Sequence, residues 1–151
     1  MILDAHSDAA NLNETCARSR AGSNIFCSDN DPIPRENEPI LSLAQITNVV
    51  MFSASEAELA GLFITAKAMV ALRKILKEMK WPQPRSPTQT ENSKANAFAN
   101  QTIVPKKTKS TDMRFYLLRC RDSQGQFRYY WAPETTNRAY YHTKLHPPQY
   151  H

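Results

Sequence analysis

The segment SASEAELAGLFITAKAMVALRKILKEMK, residues 53–80, is predicted to form one long helix around which the chain is organised. Ser53 and Glu56 form the Ser-x-x-Glu pattern of a capping box, in which each side chain accepts a hydrogen bond from a free backbone N–H. At 100° per residue the apolar side chains occupy one broad arc, which is typical of an amphipathic helix. The members of this arc are Leu59, Leu62, Phe63, Ala66, Met69, Val70, Leu72, Leu76 and Met79.

Glu58 departs from this amphipathic pattern. It points about 160° away from Glu56, and therefore into the apolar arc. A carboxylate that faces a core costs free energy unless it is paired or binds a metal. The pattern leaves two interpretations open: Glu58 faces the core with such a partner, or it lies at the helix edge and reaches water past the first turn.

Length and composition indicate one globular domain over residues 1–151, with 41% hydrophobic and 22% charged residues. No run approaches the roughly 18 apolar residues of a membrane span. The first residues show no basic region followed by an apolar stretch, so no signal peptide is predicted. Cys16, Cys27 and Cys120 are scattered and odd in number, which favours a reducing compartment. We therefore expect an intracellular protein, cytoplasmic or nuclear, with no membrane partner.

The net charge of +5 is unevenly distributed along the chain. Residues 101–151 hold nine Lys and Arg against three Asp and Glu, whereas the first hundred residues hold ten against eleven. A basic surface of this kind favours a polyanionic partner through contacts with phosphates, and an ordinary solvated face is the open alternative. The candidate nucleic-acid-binding residues are Lys106, Lys107, Lys109, Arg114, Arg119 and Arg121.

Strand and helix patterns alternate along the rest of the chain. The sequence predicts the order β-β-β-α-β-α-α-β-α, and hence an α/β fold with a mixed sheet and helices on its faces. Phe127, Tyr129 and Trp131 share one face of the last strand, so we expect them in the core rather than stacked on bases. The β-rich segments before the long helix, at 2–6, 23–28, 40–43 and 48–52, are interpreted as three short strands, and two further strands are expected over 88–90 and 126–131. Helices are expected over 93–100, 112–121 and 136–145, and a frayed tail from about residue 146.

Five segments of the chain, in order and in register, resemble the ribonuclease H region of copia-type LTR retrotransposon polyproteins. The resemblance implies a ribonuclease H-like fold, with a five-stranded mixed sheet and helices on both faces. It also implies an endonuclease that hydrolyses the RNA strand of RNA–DNA hybrids with two Mg²⁺ ions, for which Mn²⁺ is an alternative. The segments are HSDA (6–9), SASEAELAGLF (53–63), PTQTENSKA (87–95), KSTDMRFYLLR (109–119) and NRAYYHTKLHPP (137–148).

Four carboxylates hold the metal ions in this family, and the resemblance assigns their positions here. Asp8 matches the first, and Glu58 matches the second, in agreement with the helical pattern that turned Glu58 toward the core. Glu91 occupies the third position, where the family has Asp. Tyr140 occupies the fourth position, where the family also has Asp.

The two altered positions predict impaired catalysis. Glu91 is one methylene longer than Asp and shifts its carboxylate by about 1 Å, a displacement that can cost about a hundredfold in rate. The neutral phenol of Tyr140 is a poor Mg²⁺ ligand and adds bulk. His142 is a candidate replacement ligand, although a nitrogen suits Mg²⁺ badly. We expect weak or no hydrolysis.

Three functions stay open at this point: an impaired ribonuclease H, a non-catalytic hybrid- or RNA-binding remnant, and a scaffold with no selected role. The chain begins at Met1 without the reverse transcriptase and integrase regions that precede this domain in such polyproteins, so we expect a decayed fragment of a retroelement. The resemblance implies an RNA–DNA hybrid or another nucleic acid as partner, and the reverse transcriptase of the parent element as a second. We expect a monomer.

Overall fold

A five-stranded sheet forms the centre of the computed structural model, which describes residues 1–32, 37–103, 113–144 and 146. The spatial order of the strands is β3-β2-β1-β4-β5. β1 pairs antiparallel with β2 and β2 pairs antiparallel with β3, whereas β4 runs parallel to both β1 and β5. The prediction of a five-stranded mixed sheet is therefore confirmed. The strands are β1 (Ile2–Ala10), β2 (Arg20–Ser28), β3 (Pro39–Ile46), β4 (Ser86–Thr90) and β5 (Phe127–Trp131).

Helices cover both faces of this sheet. The α-helices are α1 (Ala54–Glu78), α2 (Ser93–Ala99) and α3 (Tyr116–Ser123), and Arg138–His142 forms what we call the C-terminal 3₁₀ helix. Shorter 3₁₀ turns span Thr15–Ala17, Met113–Phe115 and Glu134–Thr136. Because successive strand residues face opposite sides, Leu3 and Ala5 of β1 enter the core with α1, whereas His6 contacts the C-terminal 3₁₀ helix.

The start of α1 follows the predicted capping box. The Ser53 hydroxyl accepts a hydrogen bond from the backbone N–H of Glu56 at 3.2 Å. The Glu56 carboxylate in turn accepts from the N–H of Phe52, one residue before the cap, at 2.8 Å. Glu58 is 3% exposed, so the interpretation in which it reaches water at the helix edge is wrong.

Two sequence predictions near the metal-binding candidates need correction. The first strand was predicted over 2–6, but β1 continues to Ala10 because β2 pairs with it as far as Arg20. Asp8 therefore lies inside the strand. The helix predicted over 136–145 is replaced by two 3₁₀ turns, and hydrogen bonds from Asn137 and Arg138 tie this segment to β1.

Two further predictions at the edges of the sheet are also wrong. Residues 48–52 form no strand, because β3 already pairs to the start of β2 at Ile46 and Arg20, and the chain then turns toward α1. Phe127 and Tyr129 are buried as predicted, but Trp131 is 53% exposed because β5 ends there at the edge of the sheet. Among the described residues, no helix combines the length and the hydrophobicity that crossing a membrane requires.

Candidate metal centre

Three carboxylates from distant parts of the chain meet at one end of the sheet. Asp8 comes from β1, Glu58 from the second turn of α1, and Glu91 directly follows β4. Each offers an oxygen that lies within 4.8 Å of the others. Asp8 and Glu58 are buried, and Glu91 is half-buried. The structure thus brings together the three residues that the resemblance proposed as metal ligands.

Glu58 is held in place by the ends of two strands. Its Oε1 accepts a hydrogen bond from the backbone N–H of Ala9 in β1 at 3.0 Å. Its Oε2 accepts from the hydroxyl of Thr90, the last residue of β4, at 3.4 Å. These bonds orient the carboxylate toward Asp8 and Glu91. Asn92 caps α2 by accepting from the N–H of Lys94 at 3.0 Å, which sets the direction of the chain after Glu91.

The cluster is short of positive charge and of hydrogen-bond donors. Oδ1 of Asp8 and Oε2 of Glu91 are buried and accept no hydrogen bond, an arrangement that is unfavourable for a carboxylate. Burial and then the charge of Asp8 raise the pKa of Glu58 from 4.5 to about 9. The same two causes, in the same order, raise the pKa of Glu91 from 4.5 to about 7.

A divalent cation fits these residues. Free, buried carboxylate oxygens are the hard ligands that Mg²⁺ and Mn²⁺ prefer, and the ion would supply the missing positive charge. Asp8, Glu58 and Glu91 are the residues that would hold it. When bound between carboxylates, such ions lower the pKa of a water nucleophile and stabilise charge on a phosphate group.

The cluster opens into a cavity of about 750 Å³. Besides Glu58 and Glu91, the lining includes Trp131, Glu134 and Lys144. The indole N–H of Trp131 donates to the backbone carbonyl of Glu91 at 2.8 Å, so this exposed ring lies at the cavity rim. No sequence pattern assigned Glu134 or Lys144 to the site. The only sequence signal for Lys144 was its place in the block NRAYYHTKLHPP.

The C-terminal 3₁₀ helix is fastened closely to β1 and β2. The Asn137 amide donates to the carbonyl of Ser7 at 2.8 Å, and the N–H of Arg138 donates to Nδ1 of His6 at 3.1 Å. Gly22 permits this approach, because a Cβ there would lie 2.8 Å from Cβ of His142. This packing delivers Thr143, whose hydroxyl donates a hydrogen bond to Oδ2 of Asp8. No sequence pattern gave Thr143 a role.

The two candidate site residues that the sequence proposed in this segment are Tyr140 and His142. Interaction with the Glu134 side chain and then burial raise the pKa of the Tyr140 hydroxyl. His142 does not join the acidic cluster, because its Nε2 shares a hydrogen bond of 2.9 Å with Oδ1 of Asn24. Burial also lowers the pKa of His142. His142 is therefore not placed to act as the replacement ligand that the sequence suggested.

Only part of the predicted basic surface can be located. Lys106, Lys107 and Lys109 lie outside the described residues. Arg119 donates a hydrogen bond to the backbone carbonyl of Phe98 at 2.9 Å and stacks over the Phe98 ring. Arg121 donates hydrogen bonds to the side-chain amide oxygens of Gln124 and Gln126, both at 3.3 Å. Arg114 is exposed and lines a separate cavity between α1 and the segment after β3. These three arginines do not line the cavity of the acidic cluster, whereas Lys144 does.

Comparison with known proteins gives no sequence match but a clear structural one. No protein-family model and no curated protein matches the sequence. One similar solved structure is the N-terminal ribonuclease H domain of a Mycobacterium tuberculosis protein, as a fusion with maltose-binding protein. It superimposes with a TM-score of 0.61 at 12% identity, over 89% of this chain and 84% of that chain. This chain has the ribonuclease H-like fold.

A ribonuclease H1 isolated from compost shows the same likeness. Its structure aligns with a TM-score of 0.64 at 10% identity, over 93% of this chain and 91% of that chain. A second structure of that enzyme, in complex with an RNA/DNA hybrid, aligns with a TM-score of 0.61 at 11% identity over 90% and 88% of the two chains. The acidic cluster of this ribonuclease H-like domain lies where β1, β4 and α1 converge.

Proposed function

We propose that this chain is a ribonuclease H-like domain of copia-type retrotransposon origin that binds RNA–DNA hybrids. It hydrolyses the RNA strand, at a reduced rate, with two Mg²⁺ ions or Mn²⁺ in their place. The observation that carries the proposal is the meeting of Asp8, Glu58 and Glu91 within 4.8 Å of one another, with a buried oxygen of Asp8 and one of Glu91 that accept no hydrogen bond. The ribonuclease H1 solved with an RNA/DNA hybrid, which shares the fold, supports the choice of substrate.

Asp8, Glu58 and Glu91 act as metal ligands and catalytic residues in this proposal. The rate is low because Tyr140 stands at the fourth carboxylate position and Glu91 is longer than the Asp that the resemblance implies. A phenol contributes little to Mg²⁺ binding beside carboxylates. A misplaced carboxylate lowers the rate because the reacting groups are no longer aligned.

A second candidate function is hybrid or RNA binding without catalysis. Tyr140, at the position where the resemblance implies a fourth carboxylate, favours it, since binding through phosphates and 2′-hydroxyls does not require an intact metal site. The contacts proposed for the nucleic-acid backbone come from Lys106, Lys107, Lys109, Arg114, Arg119 and Arg121, with Lys144 at the cavity.

The proposal treats residues 1–151 as one domain that acts as a monomer in the cytoplasm or nucleus. The reverse transcriptase of the parent element is its proposed protein partner. A sedimentation measurement of the full chain, alone and with such a reverse transcriptase, tests the monomer and the partner.

Cleavage of a labelled RNA–DNA hybrid, with Mg²⁺ and then Mn²⁺, tests the catalytic proposal. The native chain is expected to cut slowly, Asp8→Asn to be inactive, and Glu91→Asp/Tyr140→Asp to cut faster. Glu78→Gln, at the far end of α1, is the control and should match the native chain. If neither the native chain nor the double variant cuts, hydrolysis is rejected.

Hybrid affinity measured in EDTA, with increasing salt, tests the non-catalytic alternative. Affinity that falls steeply with salt in the absence of cleavage supports a binding remnant. Absence of both affinity and cleavage rejects both functions and leaves the scaffold with no selected role.

A further inference from the structure

Trp131 places an exposed aromatic ring at the rim of the cavity that contains the acidic cluster. The side chain is 53% exposed, although Phe127 and Tyr129 of the same strand are buried. Trp131 lines the cavity together with Glu58 and Glu91, and among the described lining residues it provides the only aromatic ring. Single exposed apolar side chains are common on protein surfaces, so the position of this ring beside the carboxylates, rather than its exposure, points to a ligand.

Two contacts hold the ring in this position. The indole N–H donates a hydrogen bond to the backbone carbonyl of Glu91 at 2.8 Å. In the sheet, Trp131 pairs with Thr90, whose hydroxyl donates to Oε2 of Glu58. The ring is therefore held close to two of the three clustered carboxylates. Because the N–H bond lies in the plane of the ring, it leaves the π-face available to a ligand.

The cavity has the dimensions and the polar groups of a nucleotide site. Its volume of about 750 Å³ lies within the range of small-molecule sites in proteins, roughly 300–1,000 Å³. Aromatic rings bind nucleobases by stacking on their faces, and Lys binds phosphate. A base inside a duplex is already stacked on its neighbours, so the ring can stack only on an unpaired base. Besides Trp131, the polar lining includes Lys144, Asn11, Asn13 and Asn92.

The charge of the cavity favours a base rather than a phosphate beside Trp131. Three acidic residues line the cavity, Glu58, Glu91 and Glu134, against one lysine, Lys144, among the described lining residues. Carboxylates repel phosphate unless a cation lies between them, whereas an uncharged base stacks on the indole without this cost. The base is therefore the part of a nucleotide that fits at this edge of the cavity.

We infer that the cavity binds one unpaired nucleotide at the end of an RNA–DNA hybrid, and that Trp131 stacks on its base. Trp131 then favours hybrids that carry a single-stranded extension over blunt ones, with little preference for a particular base. This inference rests on the proposed hybrid-binding function, and it is tested by affinity rather than by cleavage.

Fluorescence anisotropy, in EDTA and again in Mg²⁺, compares a labelled blunt RNA–DNA hybrid with the same hybrid carrying a short DNA overhang. The native chain is expected to bind the overhang probe about tenfold more tightly. Trp131→Leu should lose this preference, whereas Trp131→Phe should keep most of it because Phe retains an aromatic face. Trp81→Phe is the matched control and should behave as the native chain, since Trp81 is 47% exposed and follows the far end of α1.

The Leu and Phe variants separate stacking from a structural role at Glu91. Neither side chain can donate the hydrogen bond that the indole N–H makes to the Glu91 carbonyl. If that bond were the whole contribution of Trp131, both variants would lose the overhang preference equally, and the inference would be overturned. Thermal unfolding followed by circular dichroism checks that each variant folds.

Intrinsic fluorescence provides an independent measurement on a chain with the native ring. The sequence contains two tryptophans, so Trp81→Phe leaves Trp131 as the single one. Stacking on a base should quench its emission when the overhang probe is added, and the blunt probe should quench it less. In Trp131→Phe, the emission of the remaining Trp81 should not change. Equal quenching of Trp131 by the two probes would contradict the assignment.

The outcomes distinguish this inference from the proposed function. If the native chain binds both probes with equal affinity in both buffers, the stacking site is rejected and hybrid binding stands. If Trp131 determines the overhang preference while no hybrid is cut, the stacking site stands and hydrolysis is rejected. If the native chain binds neither probe, hybrid binding and the stacking site are both rejected.

Discussion

The hydroxyl of Thr143 donates a hydrogen bond to Oδ2 of Asp8, across 135 positions of the chain. Both side chains are buried. The bond leaves Oδ1 of Asp8 without a protein partner, so one carboxylate oxygen is oriented by the protein and the other is available to a cation. Residues that orient metal ligands in this way affect metal affinity although they do not touch the ion.

Replacement of Thr143 by Val should therefore weaken the metal centre. Thr143→Val keeps the shape but removes the donor to Asp8, and we expect Mn²⁺ affinity to fall about tenfold. The free energy of unfolding should fall by about 1–3 kcal/mol, because a buried carboxylate oxygen loses its partner. Calorimetry and urea unfolding measure the two effects. Thr143→Ser keeps the hydroxyl and should stay close to the native chain; equal behaviour of the two variants would contradict the assigned role.

Gly22 should tolerate no side chain. A Cβ at this position would lie 2.8 Å from Cβ of His142 and 2.9 Å from the carbonyl oxygen of Ala139. Gly22→Ala must push the C-terminal 3₁₀ helix off the sheet, and we expect a loss of about 1–3 kcal/mol in the free energy of unfolding. Urea unfolding measures the loss, and Mn²⁺ affinity should fall with it because Thr143 moves away from Asp8.

The matched control for Gly22→Ala is Gly125→Asn. It also adds a Cβ, but nothing lies within 4 Å of that position. Its φ of +65° strains a side chain, Asn less than most, so a smaller loss of stability than at Gly22 is expected. If both variants lose the same stability, the close approach at Gly22 is not the cause.

The metal-free protein should become less stable as the pH rises. Glu58 and Glu91 have pKa values of about 9 and about 7 in the folded chain, against an ordinary value of 4.5. Between pH 4.5 and these values the folded state holds more protons than the unfolded state, so the free energy of unfolding decreases with increasing pH. Glu91 contributes up to about pH 7, and Glu58 up to about pH 9.

Urea unfolding in EDTA across this pH range measures the effect. Glu58→Gln removes the more strongly shifted group and should flatten the profile. Added Mg²⁺ should restore stability most at high pH, because metal ligands bind as carboxylates. A native profile that already matches the Glu58→Gln profile would refute the prediction.

Lys144 should contribute to hybrid affinity from the edge of the metal cavity. It lines that cavity, and its Nζ lies 5.0 Å from the centre of the Tyr140 ring. Lys144→Gln should weaken binding to every hybrid sequence similarly and lower the salt slope by about one. Fluorescence anisotropy at several salt concentrations gives both values. Lys74→Gln, on an exposed part of α1, is the control, and an identical slope in the two variants would argue against a phosphate contact at Lys144.

Local patterns in the sequence were sufficient for most of the scaffold and for the orientation of Glu58, whereas Asp8 and Glu91 were proposed as metal ligands only through the resemblance. The capping box and the 3.6-residue period located α1 and turned Glu58 toward the core, because both signals depend on neighbours within about one or two helical turns. The prolines after α1 predicted its end, and the strand before Glu91 was predicted only over 88–90, whereas β4 begins at Ser86. The order of the elements then predicted the mixed sheet.

Only the tertiary structure decided how the last third of the chain completes the site. Trp131 alternates correctly with Phe127 and Tyr129, yet it is exposed because β5 ends at the sheet edge. The contact between Thr143 and Asp8 and the place of Glu134 in the cavity depend on how the C-terminal segment approaches β1 and β2. The sequence by itself determined which elements form and which way α1 faces, since these follow from near neighbours. Contacts between atoms far apart in the chain exist only once the elements have packed.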